Sequence, residues 1–295
     1  LKINWNANTS DIAPFRKVKG ATIKNLRTEG SIQSSSIYIG GLIDEAYGEN
    51  TVTGCVSAVN ITSTYADNKC GAGGLISYIG SNARVTINDC LVKGAINGTG
   101  AGRKGIGGFV YTNNGTCKLT NCLYAGTNNG SNEYSYTFAP NADINNCYYL
   151  NACGTAQGEK ITTDQLKNGE VAYKLQARRN NMVWGQELNK DTEPLLTADG
   201  AKRVRKVEFA YKNKVAVTRY ANQGGNVKLP TAKELLGADY DAQKSYKLAF
   251  ENGFSETTAI NGDITVNVTV SVVTGIDGVT DDNADMNTPV YDLQG

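Results

Sequence analysis

The chain has 295 residues, with 29 Lys and Arg against 28 Asp and Glu, a net charge of +1 and no histidine. The missing imidazole excludes Ser/His/Asp and Cys/His catalysis and His-containing zinc sites, which leaves carboxylate, Lys/Arg, Tyr or Cys chemistry. Near-neutral charge, with one short basic run at 202–206, gives no field that would attract nucleic acid or an anionic membrane surface, and no apolar run approaches the ~20 residues of a membrane span.

The sequence opens at Leu1-Lys2-Ile3-Asn4-Trp5, with neither an initiator Met nor a basic-then-apolar leader. It is expected to be a fragment whose export signal and first strands lie upstream. Internal repeats follow. Gly40-Gly41-Leu42-Ile43, Gly73-Gly74-Leu75-Ile76 and Gly107-Gly108-Phe109-Val110 recur at spacings of 33 and 34 residues. A second motif places an aliphatic residue two positions before Asn, Asp or Gly and three before Cys or Leu. It runs Ile23-Lys24-Asn25-Leu26, Val52-Thr53-Gly54-Cys55, Ile87-Asn88-Asp89-Cys90, Leu119-Thr120-Asn121-Cys122 and Ile144-Asn145-Asn146-Cys147. Asn, Asp and Gly tolerate left-handed backbone, so each copy predicts a strand that ends in a corner.

After each corner the pattern alternates with period two. Inward positions read Leu26, Thr28, Gly30, Ile32; then Cys55, Ser57, Val59, Ile61; then Cys90, Val92, Gly94, Ile96. Short strands joined by Gly and Asn corners at this period stack as coils, like residue above like residue. Residues 1–155 are therefore expected to form a right-handed parallel β-helix, the hand following from the general preference of crossovers between parallel strands. Stacking would bring successive corner cysteines to roughly 4.8 Å between Cα atoms, inside the ~4.4–6.8 Å disulfide window, so distance alone leaves bridging open. We read Cys55, Cys90, Cys122 and Cys147 as a ladder of small buried thiols, since Leu26 takes the same place. With no CxxC pair, a metal site on this ladder is not expected.

These glycine and cysteine repeats resemble the GLUG-motif repeats of bacterial surface proteins, and Ala13-Pro14-Phe15 with Gly20-Ala21-Thr22-Ile23-Lys24-Asn25-Leu26 looks like the opening coil of such proteins. Past Cys153 the texture changes. Thr162-Thr163-Asp164-Gln165 reads as a capping box opening an amphipathic helix over 163–176, with Leu166, Val171, Tyr173 and Leu175 apolar. The outward residue after each corner supplies Val56, Leu91, Leu123 and Tyr148, an apolar stripe on which this helix is expected to lie. An irregular connector through Trp184-Gly185-Gln186 and Pro194-Leu195-Leu196 completes residues 156–203 and resembles the segment that ends GLUG-type β-helices.

Residues 204–273 predict a compact β-rich unit. Strands are expected at 206–211, 215–220, 226–230, 246–250 and 264–272, with a short capped helix at 231–237. Gly225-Asn226-Val227-Lys228-Leu229-Pro230 and Asp263-Ile264-Thr265-Val266 resemble signatures of the internalin B-repeat, which implies a β-grasp-like module used as a spacer or adhesion unit. Residues 274–295, ending in Val290-Tyr291-Asp292-Leu293, look like the linker and first strand of a C-terminal sorting domain. Fold class is thus mainly β: a parallel β-helix plus a small α+β module.

Sites are few. Asp44, Glu45 and Glu49 form the one acidic cluster of the first half, expected in a solvated loop; Asp89 holds a corner and is read as structural. Tyr134 and Tyr136 lie in a polar stretch and could stack on a sugar face or pack at an edge. No catalytic residue, metal or cofactor is expected, and no binding residue is assigned. The resemblances imply an exported, adhesin-like protein without catalytic activity, monomeric, at the outer surface of a Gram-negative bacterium or secreted, with an extracellular glycan or a host surface protein as partner. A β-helix polysaccharide lyase or glycoside hydrolase is the alternative.

Overall fold

A computed structural model of the chain describes residues 1–8, 10–65, 71–99, 105–131, 133–188 and 190–273. The expected sorting-domain strand at 290–293 lies outside the described residues, as does Cys70. The first half is a parallel β-solenoid of about three complete turns, flanked by partial turns at both ends.

Each turn has four sides. The broadest is a nine-stranded sheet that begins Lys2–Ala7, Arg27–Ser34, Val56–Ser63 and closes at Glu159–Lys160. Tyr38–Gly40, Gly71–Gly73 and Ile106–Gly107 form the second side; Phe15–Lys19, Ile43–Tyr47, Ile76–Ile79 and Val110–Asn113 the third. The fourth side carries Thr22–Lys24, Glu49–Thr53, Arg84–Asn88, Thr116–Thr120 and Ala142–Asn145. Ile32 pairs with Ile61 and Ile61 with Ile96, all three buried, so the aliphatic register read from the repeats is the register of the core.

Both repeated motifs are corners. The residue before each corner Cys or Leu is left-handed, with φ of 54° at Asn25, 64° at Gly54, 49° at Asp89, 54° at Asn121 and 49° at Asn146. This turn brings a carbonyl within reach of the next thiol. Sγ of Cys55, Cys90, Cys122 and Cys147 donates to the carbonyl two residues earlier at 3.4, 3.2, 3.4 and 3.2 Å. The Gly-Gly turns answer a different constraint. A Cβ on Gly41 or Gly74 would sit 2.1 Å from the carbonyl oxygen of Gly74 or Gly108 in the next coil, so the backbones stack at a distance only glycine permits.

Cys55, Cys90, Cys117, Cys122 and Cys147 are free thiols, and these and Cys153 are buried. Burial pushes Cys90 and Cys122 well above the ordinary thiol range and Cys117 up to about 12. A thiol reagent at neutral pH is expected to leave these three unmodified in the folded chain and to label them once urea unfolds it. Rapid labelling of any of them in the folded protein would count against a closed core.

The helix expected over 163–176 is two helices, α1 at Thr163–Lys167 and α2 at Glu170–Gln176. The break falls where Gly169 takes φ of 89° and the Asn168 side chain accepts the Glu170 N–H at 2.9 Å. The capping box is present, with Thr162 and Gln165 exchanging hydrogen bonds. Leu166, Val171 and Leu175 join Leu91, Leu123, Tyr148, Ile161 and Trp184 in one buried cluster, with Val56 at its margin. The apolar stripe thus meets the helices. Tyr173 does not: it faces the other way and packs on Tyr220 of the C-terminal module, ring centroids 5.1 Å apart.

The connector is fastened at Asp89. Its two carboxylate oxygens accept from the Arg179 guanidinium at 2.8 and 2.9 Å, and Oδ1 also accepts from Trp184 Nε1 at 2.9 Å. The buried Gln176 side chain accepts from the Val183 and Trp184 N–H groups and donates to the Arg179 and Asn181 carbonyls, holding the loop closed. Glu193 reaches back to Lys93, between the strands Leu91–Val92 and Ala95–Gly98 of the broad sheet.

The C-terminal module is β-grasp-like. Val204–Tyr211 and Lys214–Asn222 make a hairpin turned by left-handed Lys212 and Asn213. Ile264–Val272 lies parallel to the first strand of that hairpin and antiparallel to Tyr246–Phe250. Helix α3, Ala232–Leu236, is capped by Thr231 and Glu234 and places Leu235 in the module core with Phe209, Phe254 and Val266. The strand expected at 226–230 is not one. Val227 is buried in that core, but Pro230 has no N–H and the Leu229 N–H goes to the Glu256 side chain, so the segment pairs with no neighbour as a ladder.

Candidate ligand-binding face

The third side of the solenoid turns charged and aromatic side chains outward in columns. Strand alternation turns Lys17, Glu45, Tyr78 and Thr112 outward in one column across successive coils. Tyr38 and Tyr47 flank this column, their rings 5.5 and 6.3 Å from Tyr78. One coil further, a groove of about 360 Å³ is lined by Tyr111, Asn113, Asn114, Glu133, Tyr134 and Tyr136. Asn114 Nδ2 donates to the Tyr78 hydroxyl at 3.2 Å, which links the aromatic column to the groove. Tyr136 is held by parallel bridges to Gly107 and Thr155, and Asn113 by its hydrogen bond to the Pro140 carbonyl at 3.0 Å, so the walls are fixed by backbone.

Tyr134 and Tyr136 therefore share one groove, as their polar surroundings in the sequence allowed, and Tyr111 joins them. Partly buried tyrosines beside asparagine amides offer flat apolar faces next to donors and acceptors, the combination that suits a pyranose ring. Among the described residues, the lining includes a single carboxylate, Glu133. Glycoside hydrolysis by paired carboxylates needs a second, about 5–9.5 Å away.

The acidic cluster differs from the one read in the sequence. Asp44 and Glu45 stand on the strand Ile43–Tyr47 rather than in a solvated loop, because the Gly-Gly-Leu turn is tight enough for the strand to resume at once. Glu49 belongs to the following strand and faces Arg84, 3.8 Å away. Its place beside Asp44 and Glu45 is taken by Asp11, from the preceding coil: one carboxylate oxygen from each of Asp11, Asp44 and Glu45 lies within 4.8 Å of the others. Asp11 holds Arg16 at 3.2 Å and Glu45 holds Lys17 at 2.8 Å. Asp44 is fully buried, and neither of its oxygens has a hydrogen-bond partner among the described residues. Burial, then the carboxylates of Asp11 and Glu45, push it up to about 7 against the weaker pull of Arg16 and Lys17. Linear spacing hides Asp11, since only the coil repeat brings it to Asp44.

No family model matches the chain, and no curated protein matches it. The GLUG, B-repeat and sorting-region resemblances thus rest on their motifs alone. Among solved structures, the chain is similar to a crystal structure from Bacteroides ovatus described as a putative immunoglobulin A1 protease. The identity is 13%, over 62% of this chain and 76% of that one, with a TM-score of 0.37, a likeness too slight to carry an argument.

Proposed function

We propose that the chain is a non-catalytic, adhesin-like protein exported to the outer surface of a Gram-negative bacterium, and that it binds an extracellular glycan in the groove of Tyr111, Tyr134 and Tyr136. The observation that carries this reading is the groove itself: three tyrosines and three asparagines on a backbone-fixed wall, with one carboxylate among the described lining residues. The GLUG-like and B-repeat-like motifs support the surface location, and the solenoid supplies a rigid face on which to display the groove.

The test is a glycan array paired with a polysaccharide-degradation screen on the purified chain. Saturable binding without cleavage is expected, and Tyr136→Ala should weaken it about tenfold through loss of a stacking face. Cleavage would replace this reading with the β-helix enzyme, and silence in both assays with a stalk that only positions other domains.

A further inference from the structure

We propose that Asp11, Asp44 and Glu45 form a calcium site that ties the first coil of the solenoid to the second. Two observations meet there. Three carboxylates from two coils converge within 4.8 Å, and the central one is wholly buried with both oxygens unpartnered among the described residues. A buried carboxylate without donors is costly, and solvation, protonation or a cation must relieve it. Water is shut out from Asp44. Protonation would neutralise Asp44 alone, whereas a cation would meet all three converging carboxylates at once.

The two neighbouring cations do not fill the role. Arg16 pairs with Asp11 and Lys17 with Glu45, but their side chains are 71% and 63% exposed, and neither makes a hydrogen bond to Asp44. Exposed pairs of this kind are weak, so both side chains can swing into solvent and release their carboxylates. The chemistry of the donors then selects the ion. All are hard oxygens, with no imidazole anywhere in the chain and no thiol in the cluster, which disfavours zinc and copper. Three anionic side chains, one of them dry, suit calcium, which accepts carboxylates in irregular geometry. Magnesium holds to an octahedron and keeps most of its water.

Position gives the ion a purpose. Asp11 precedes the strand Phe15–Lys19, and Asp44 and Glu45 lie on Ile43–Tyr47, the strand paired with it in the next coil. A shared cation would cross-link the two coils beside the aromatic column, close to Tyr38, whose carbonyl accepts the Ile12 N–H. The inference stands apart from the glycan reading, since it concerns neither the groove nor its tyrosines.

Isothermal titration of the chelator-treated full chain with calcium chloride, together with thermal unfolding with and without the ion, tests it. One calcium per chain is expected, with an affinity in the range of extracellular modules, about 10⁻⁴–10⁻³ M, and a higher Tm at saturation. Asp44→Asn should lower the affinity at least about tenfold and abolish the calcium-dependent rise in Tm; Asp11→Asn serves the same end should the first variant fail to fold. Glu49→Gln, outside the cluster, should bind as the parent does. No heat and no shift in Tm up to about 10 mM calcium would overturn the proposal, as would an Asp44→Asn chain that binds like the parent or magnesium that binds as tightly as calcium.

Discussion

Asp89→Ala is expected to destabilise the chain by about 3–5 kcal/mol, the usual cost of breaking a largely buried ion pair from one side. The Arg179 guanidinium would lose both of its carboxylate hydrogen bonds while remaining held by the Gln176 and Leu175 carbonyls, so it could not easily turn to water. Trp184 Nε1, fully buried, would lose its acceptor as well. Asp89→Asn keeps the left-handed corner and an acceptor for Trp184 but not the charge, and should fall between the two. Urea unfolding followed through tryptophan fluorescence reads the effect where it arises. A loss below about 1 kcal/mol for Asp89→Ala would mean that the connector is held by its apolar contacts alone.

Ile61→Ala is the second large effect, about 2–5 kcal/mol from lost burial and an unfilled cavity. Ile61 sits in the middle of the column between Ile32 and Ile96, so its neighbours above and below are fixed by strand register and cannot collapse into the space. The same substitution at the partly buried Leu26, at the end of the corner column, should cost clearly less. Equal losses at the two positions, seen as equal shifts of the urea midpoint, would show that the coils do not share one continuous core.

The solenoid was legible because its forces repeat. Each corner needs a residue that accepts positive φ, each Gly-Gly turn needs backbones without Cβ atoms, and each inward position needs an apolar side chain, so the same letters recur with every coil. The joint was half legible. The stripe from Val56 to Tyr148 and the apolar side of Leu166 announced each other, but Arg179 gave no sign that it would reach Asp89, since a pairing that occurs once leaves no period to detect. Helix α1 and helix α2 read as one because the hydrophobic spacing continues across Gly169, and the break is marked instead by the Asn168-Gly169 pair, whose Asn side chain accepts the Glu170 N–H. The strand expected at 226–230 failed for the opposite reason: its alternation was real, with Val227 in the core, but burial of a side chain does not require a ladder for its backbone. The carboxylate cluster is only half visible in linear spacing: Asp44 and Glu45 are neighbours in both sequence and space, but Asp11 reaches them across a full coil while nearby Glu49 does not.

The pairing of the module's first and last strands, Val204–Tyr211 and Ile264–Val272, has a mechanical meaning. Because they are adjacent and parallel, the chain enters at one end of the pair and leaves at the other. Tension applied across the module drags one strand along its partner and strains their hydrogen bonds simultaneously, where an antiparallel terminal pair would unzip bond by bond. The terminal pair therefore has shear geometry toward a pull along its strands, and Tyr220 packs on Tyr173 of a helix whose other side lies on the solenoid.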